Sequence, residues 1–85
     1  MIRINIKIFA SLRESLGEHD FVLDCESGLT IIELTRFLGE SKGSQWHDTL
    51  MADNVITAIN QTIVERTHLL NDNDELAYFP PVTGG

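Results

Sequence analysis

The sequence predicts an α+β domain in which one sheet wraps over a helix, and three observations predict it. Isoleucine occupies every even position from Ile2 to Ile8, a period of two that suits a half-buried strand. Thr30 stands three residues before Glu33 at the head of an apolar stripe with helical spacing, as at a capped helix start. Short strand-like segments then return between Val55 and Phe79. The order strand, strand, helix, strand, strand, strand lets one sheet and one helix share a core.

In chain order, residues 2–9 form the first strand, with Ile2, Ile4, Ile6 and Ile8 facing inward. Phe9 has the opposite parity, which places an aromatic ring on the polar face. Ala10 to Leu16 reads as a short helical turn closed by Gly17. His19 to Cys25 alternates again, with Phe21, Leu23 and Cys25 on one side and Asp20, Val22 and Asp24 on the other; so short a connection suits an antiparallel pair. Glu26-Ser27-Gly28 breaks that strand. The helix after Thr30 buries Ile31, Leu34 and Leu38, flanked by Ile32 and Phe37, and Gly39 and Gly43 are expected to weaken it from there on. Ser44 to Met51 reads as a second, shorter helix with Trp46 and Leu50 on one face. Val55–Asn60 and Thr62–Val64 are strands about a tight turn at Asn60-Gln61. The loop Asn71 to Asp74 leads into the last strand, Glu75–Phe79, where Leu76 and Tyr78 point one way and Ala77 and Phe79 the other.

Eighty-five residues make one small domain, and a 42% apolar content argues for a globular chain. Thirteen acids against six bases leave a net charge of −7, which disfavours nucleic acid as a partner and favours a basic protein. No apolar run reaches membrane-spanning length and the N-terminus lacks a signal-peptide order, so a cytoplasmic protein that does not engage membranes is expected. Cys25 is the single cysteine, which excludes an internal disulfide and any site built from several thiolates of this chain.

The final residues carry the functional signal. Proline cannot donate to a sheet ladder, so Pro80-Pro81 ends the last strand near Phe79 and stiffens the start of the tail. Residues 1–79 are thus expected to form the domain and 80–85 an extended, flexible tail reaching at most roughly 20 Å. Gly84 and Gly85 have no side chains, so they can thread a narrow channel and deliver the α-carboxylate of Gly85 into another protein's active site.

The ending Pro-Pro-Val-Thr-Gly-Gly is similar to that of the small, sulfur carrier subunits of molybdopterin synthase, a ubiquitin-like β-grasp family. Ala58-Ile59-Asn60-Gln61 with Val64, then Leu70, Asp74-Glu75 and Phe79, extend the likeness, as do Phe9-Ala10, Arg13-Glu14 and Gly17. The resemblance covers essentially the whole chain. It implies a β-grasp fold, a mixed sheet of about five strands over one main helix. It implies that an E1-like partner adenylates Gly85 with ATP, that sulfur from a donor protein replaces AMP, and that the thiocarboxylate passes sulfur to the pterin precursor, cyclic pyranopterin monophosphate, within the synthase. It implies a heterotetramer with the large subunit, and a chain that is part of a sulfurtransferase without catalytic machinery or a stably bound cofactor or metal of its own. Phe9, Ile63 and Phe79 match the family's apolar docking surface, joined by Pro80, Pro81, Val82 and Thr83. In a β-grasp sheet the first and last strands are neighbours, so Phe9 and Phe79 are expected to form one exposed patch.

The other reactive side chains have simpler readings. Cys25, on a strand's apolar side, reads as a small buried hydrophobe. His19, His47 and His68 lack ligand spacing, Arg13 and Arg66 read as solvated surface charge, and Asp72, Asp74 and Glu75 read as a turn. Gly-Gly is also the ending of ubiquitin-like modifiers and of thiamine-type carriers, so isopeptide conjugation, sulfur delivery to a thiazole and plain adaptor binding stay open as alternatives.

Overall fold

The computed structural model describes residues 1–81. Strand β1 (Ile2–Ile8) is followed by α1 (Ala10–Leu16), β2 (Asp20–Cys25), α2 (Ile31–Lys42), α3 (Ser44–Met51), β3 (Ile56–Ile59), β4 (Thr62–Val64) and β5 (Glu75–Phe79). The strands form one sheet in the order β2-β1-β5-β3-β4. Only the central β1–β5 pair is parallel; β1–β2, β3–β4 and β3–β5 are antiparallel. This mixed sheet over α2 is the β-grasp arrangement that the resemblance implies.

The alternation in β1 works as expected. Ile4, Ile6 and Ile8 are buried, and Ile2 packs half-buried at the margin of the same core. They meet Leu34 and Leu38 of α2, Trp46 and Leu50 of α3, and Leu76 and Tyr78 of β5. The capping box is complete: Glu33 N–H donates to Thr30 Oγ1 and Thr30 N–H to Glu33 Oε1. The Glu33 carboxyl is held below its ordinary value first by the bond from Thr30 N–H and then by one that the Thr30 hydroxyl donates to the same oxygen, Oε1. Two further orphan donors at the head of α2, the N–H groups of Ile31 and Ile32, reach the carbonyls of His68 and Arg66.

The structure departs from the sequence reading in several places, the smallest being β2, which begins at Asp20 and not at His19. Helix α2 runs unbroken through Gly39 to Lys42; a Cβ at Gly39 would stand 2.7 Å from that of His47, so the missing side chain lets α3 pack closely. Gly43, at φ 112°, is where the two helices part. Strand β1 stops at Ile8 and β3 covers only Ile56–Ile59, because Phe9 already caps α1 and Asn60 belongs to the hairpin turn. Arg66 is a structural tie rather than a solvated charge: its Nη2 donates to the carbonyls of Ala52 and Val55, fastening the link between α3 and β3.

Candidate functional site

The sheet's outer face holds the site, and strand register explains its shape. Lys7 pairs with Ala77, Ala77 with Ala58, and Ala58 with Ile63, a row running across β1, β5, β3 and β4. The two alanines at its centre are short enough to make a floor. Along the next row, Phe79 pairs with Ile56, and Phe9 reaches the sheet through its N–H, which donates to Tyr78 O at 3.1 Å. That bond extends the parallel β1–β5 ladder one residue past β1 and sets Phe9 beside Phe79. Their rings stack with centroids 4.6 Å apart and planes 2° from parallel.

The result is an open apolar groove of about 720 Å³ with Ala58 and Ala77 on the floor, Ile63 on one wall and the stacked rings on the other. Its polar rim comes from Lys7, Gln61 and Glu75, and Pro80 and Pro81 line the end from which the chain leaves the sheet. Ile63 is 73% exposed and Phe9 39%, high values for apolar side chains of a folded domain. Lys7 is tied to Asp20 at 3.1 Å.

Phe9, Ile63, Phe79, Pro80 and Pro81, singled out from the sequence, therefore all lie on one surface. Val82, Thr83, Gly84 and Gly85 fall outside the described residues, as does the expected projection of the tail. Sequence reasoning missed Ile56, Ala58 and Ala77 as lining residues. A signal for Ala77 was present, since it shares its parity with Phe79; Ile56 and Ala58 required the register of β3 against β5.

Beneath the groove the sheet is rigidly backed. Tyr78 is fully buried and its hydroxyl lies 2.7 Å from Thr35 Oγ1, which itself donates to Ile31 O at 2.8 Å. Burial pushes the Tyr78 phenol up to about 12, with Thr35 and the Arg66 charge pulling the other way. At the hairpin, Asn60 Oδ1 accepts from Glu75 N–H and Asn60 Nδ2 donates to Asp74 Oδ1, stitching β3–β4 to β5.

The chemistry-bearing side chains stand elsewhere. Cys25 is buried, and burial, then the charges of Asp24 and Glu26, push its thiol up, which suits packing rather than nucleophilic work. Asp72 and Asp74 serve their loop, accepting from the N–H groups of Arg3 and Asn71. Among the described residues no group of three or more His, Cys, Asp or Glu side chains is placed to hold a metal ion, and no helix is long and apolar enough to cross a membrane. What this face offers is an exposed apolar surface next to Pro80 and Pro81.

Comparison with known proteins agrees with that geometry. The sequence matches the ThiS family over residues 6–85. It is 34% identical over 82 residues to the molybdopterin synthase sulfur carrier subunit of Escherichia coli (strain K12), across 96% of this chain and 99% of that protein. Among solved structures it superposes on SAMP1 from Haloferax volcanii with a TM-score of 0.76, at 25% identity, covering 98% of this chain and 99% of that one. The Helicobacter pylori complex of subunits 1 and 2 of molybdopterin-converting factor contains the same fold, with a TM-score of 0.69 at 20% identity, covering 99% of this chain and all of that one. Matched from Ile6 to Gly85, and 34% identical to a relative that the alignment covers almost completely, this chain belongs to the ThiS family.

Proposed function

We propose that this protein is the sulfur carrier subunit of a molybdopterin synthase, in which the carboxylate of Gly85 carries the sulfur and the apolar groove docks the partners. The observation that carries this reading is the groove itself, floored by Ala58 and Ala77, walled by the Phe9–Phe79 stack, and opening where Pro80 and Pro81 lead out of the sheet. A partner seated there would receive the residues after Pro81, and the likeness to a sulfur carrier subunit and to a solved complex of two molybdopterin-converting factor subunits supports the large subunit of such a synthase as one partner.

The chemistry comes from the terminal group. A chain-end carboxylate titrates at roughly 3.3–3.7, so at neutral pH it is an anion and a poor electrophile. An E1-like partner joins it to the α-phosphate of ATP, releasing pyrophosphate and leaving an acyl adenylate. The terminal sulfur of a persulfide on the donor protein then attacks the carbonyl carbon and AMP departs with the C–O oxygen, leaving an acyl disulfide to the donor. A thiol of the partners then attacks the donor's sulfur, taking it into a new disulfide and breaking the S–S bond so that the thiocarboxylate leaves. The terminal thiocarboxylate is a sulfur nucleophile for cyclic pyranopterin monophosphate in the large subunit. General acids, bases and charge-stabilising groups for these steps belong to the partners, and this chain supplies the handle and the docking face.

The test is reconstitution. Produced together with its adenylating enzyme and sulfur donor, the chain should gain the mass of one oxygen-to-sulfur exchange, localised to Gly85. Mixed with the large subunit and the precursor, it should form molybdopterin, whereas a chain lacking Gly85 should fold and yield none. Product formation by the truncated chain would overturn the proposal. A second reading, conjugation to protein lysines through the same adenylated end, draws on the likeness to SAMP1, a small archaeal modifier protein. Thiol-resistant, higher-mass conjugates in cell extract would favour it.

A further inference from the structure

We infer that Ala10 and Gln61 are partner-contact residues whose side chains are kept in left-handed backbone positions because a docked protein uses them, not because the fold does. The inference rests on the reading of the groove given above and adds two specificity-determining positions to it.

Four non-glycine residues among those described have positive φ: Ala10 at 54°, Asn60 at 50°, Gln61 at 72° and Asn73 at 68°. This region crowds the Cβ of an ordinary L-residue, is open to glycine, and is tolerated by asparagine. The two asparagines are thus suitable choices, and Asn60 also holds β5 through its side chain. Alanine and glutamine have no such tolerance. Elsewhere the chain places glycine at this geometry, at Gly17 and Gly28.

Ala10 and Gln61 share a location. Both line the apolar groove, Ala10 beside Phe9 and Gln61 at the β3–β4 turn beside Ile63. The backbone shape is required at each. Phe9 must stay extended to stack on Phe79, so the entry into α1 has to turn sharply at Ala10. The two-residue turn between β3 and β4 needs positive φ at both central positions, and its second is most often glycine. Glycine would satisfy the backbone at either site, so the methyl and the carboxamide stem answer another demand. Both residues are exposed in the free protein, where they fill no core. Asn73 provides the contrast, since it lies at the other end of the sheet beside Arg3 and Asp72.

The experiment compares Ala10→Gly, Gln61→Gly and the control Asn73→Gly in the full chain. It measures the thermal midpoint and the Kd for the large subunit of the same organism's molybdopterin synthase. All three variants should melt at or above the unsubstituted chain. Ala10→Gly should weaken binding about fourfold, the worth of one buried methyl, and Gln61→Gly about tenfold, while Asn73→Gly leaves Kd unchanged. Equal affinity for all four proteins would overturn this inference and leave the functional reading standing. A clear fall in the melting midpoint of Ala10→Gly or Gln61→Gly would assign those side chains to the fold and also overturn it. Failure of the unsubstituted chain to bind would overturn the functional reading and this inference with it.

Discussion

Single side chains in this protein divide between those that hold the sheet and those that face outward. Tyr78 belongs to the first kind. Because the folded state keeps its proton up to about pH 12, against 10.0 for the free phenol, its contribution is complete below about pH 10 and is lost as pH rises towards 12. A rise of that size corresponds to about 2–3 kcal/mol. Tyr78→Phe removes a hydrogen bond but leaves Thr35 bonded to Ile31 O, so at pH 7 it should cost about 1 kcal/mol. Above about pH 11 the order should reverse, with the variant more stable than the native chain, and denaturant midpoints at the two pH values check it. Arg66 is also of this kind. Losing its bonds to Ala52 and Val55 in Arg66→Ala should cost about 1–2 kcal/mol in urea unfolding, well beyond the few tenths expected of a solvated surface charge.

At the level of elements, the contact between α2 and α3 sets two opposing effects against each other at Gly39. Helix propensity favours Gly39→Ala by about 1 kcal/mol. The new Cβ would stand 2.7 Å from His47 Cβ and 3.1 Å from its Cα, so α3 has to move, and overpacking of this kind costs about 1–3 kcal/mol. The steric effect should win, and calorimetry should show a lower melting midpoint. Much at this scale is legible in the sequence. The period in Ile2–Ile8, the capping box and the Trp46–Leu50 spacing are local patterns, and each leads to the right element. Gly39 misleads for a reason of the same kind: within its own helix a glycine is only a weak residue, and its value lies in the neighbour it admits.

For the molecule as a whole, a parallel β1–β5 pair brings the first and last strands together in the middle of one sheet. Phe9 and Phe79 stack there because their strands are neighbours, and the groove opens beside the last described residues. Ile63, being mostly solvent-exposed, separates docking from folding. Ile63→Asp should change stability by no more than about 0.5 kcal/mol, yet weaken the large-subunit complex by about 2 kcal/mol, read as an about thirtyfold rise in Kd with a nearly unaltered melting curve. The excess of acids predicts a companion effect, a complex that loosens as salt is raised.

Sequence alone determined the strands, the main helix with its start, the apolar residues out of phase with their strands, and the ending that marks the family. Those features rest on short-range periodicity and on residue types that permit one local geometry. Tertiary structure decided which of them meet. The register of β3 on β5 put Ala58 and Ala77 side by side as a floor, close packing of α3 gave Gly39 its purpose, and Arg66 was drawn to two carbonyls eleven or more residues away. Each is a contact between distant segments, and pairing of that sort depends on how whole strands and helices fill a shared volume, which no local pattern encodes.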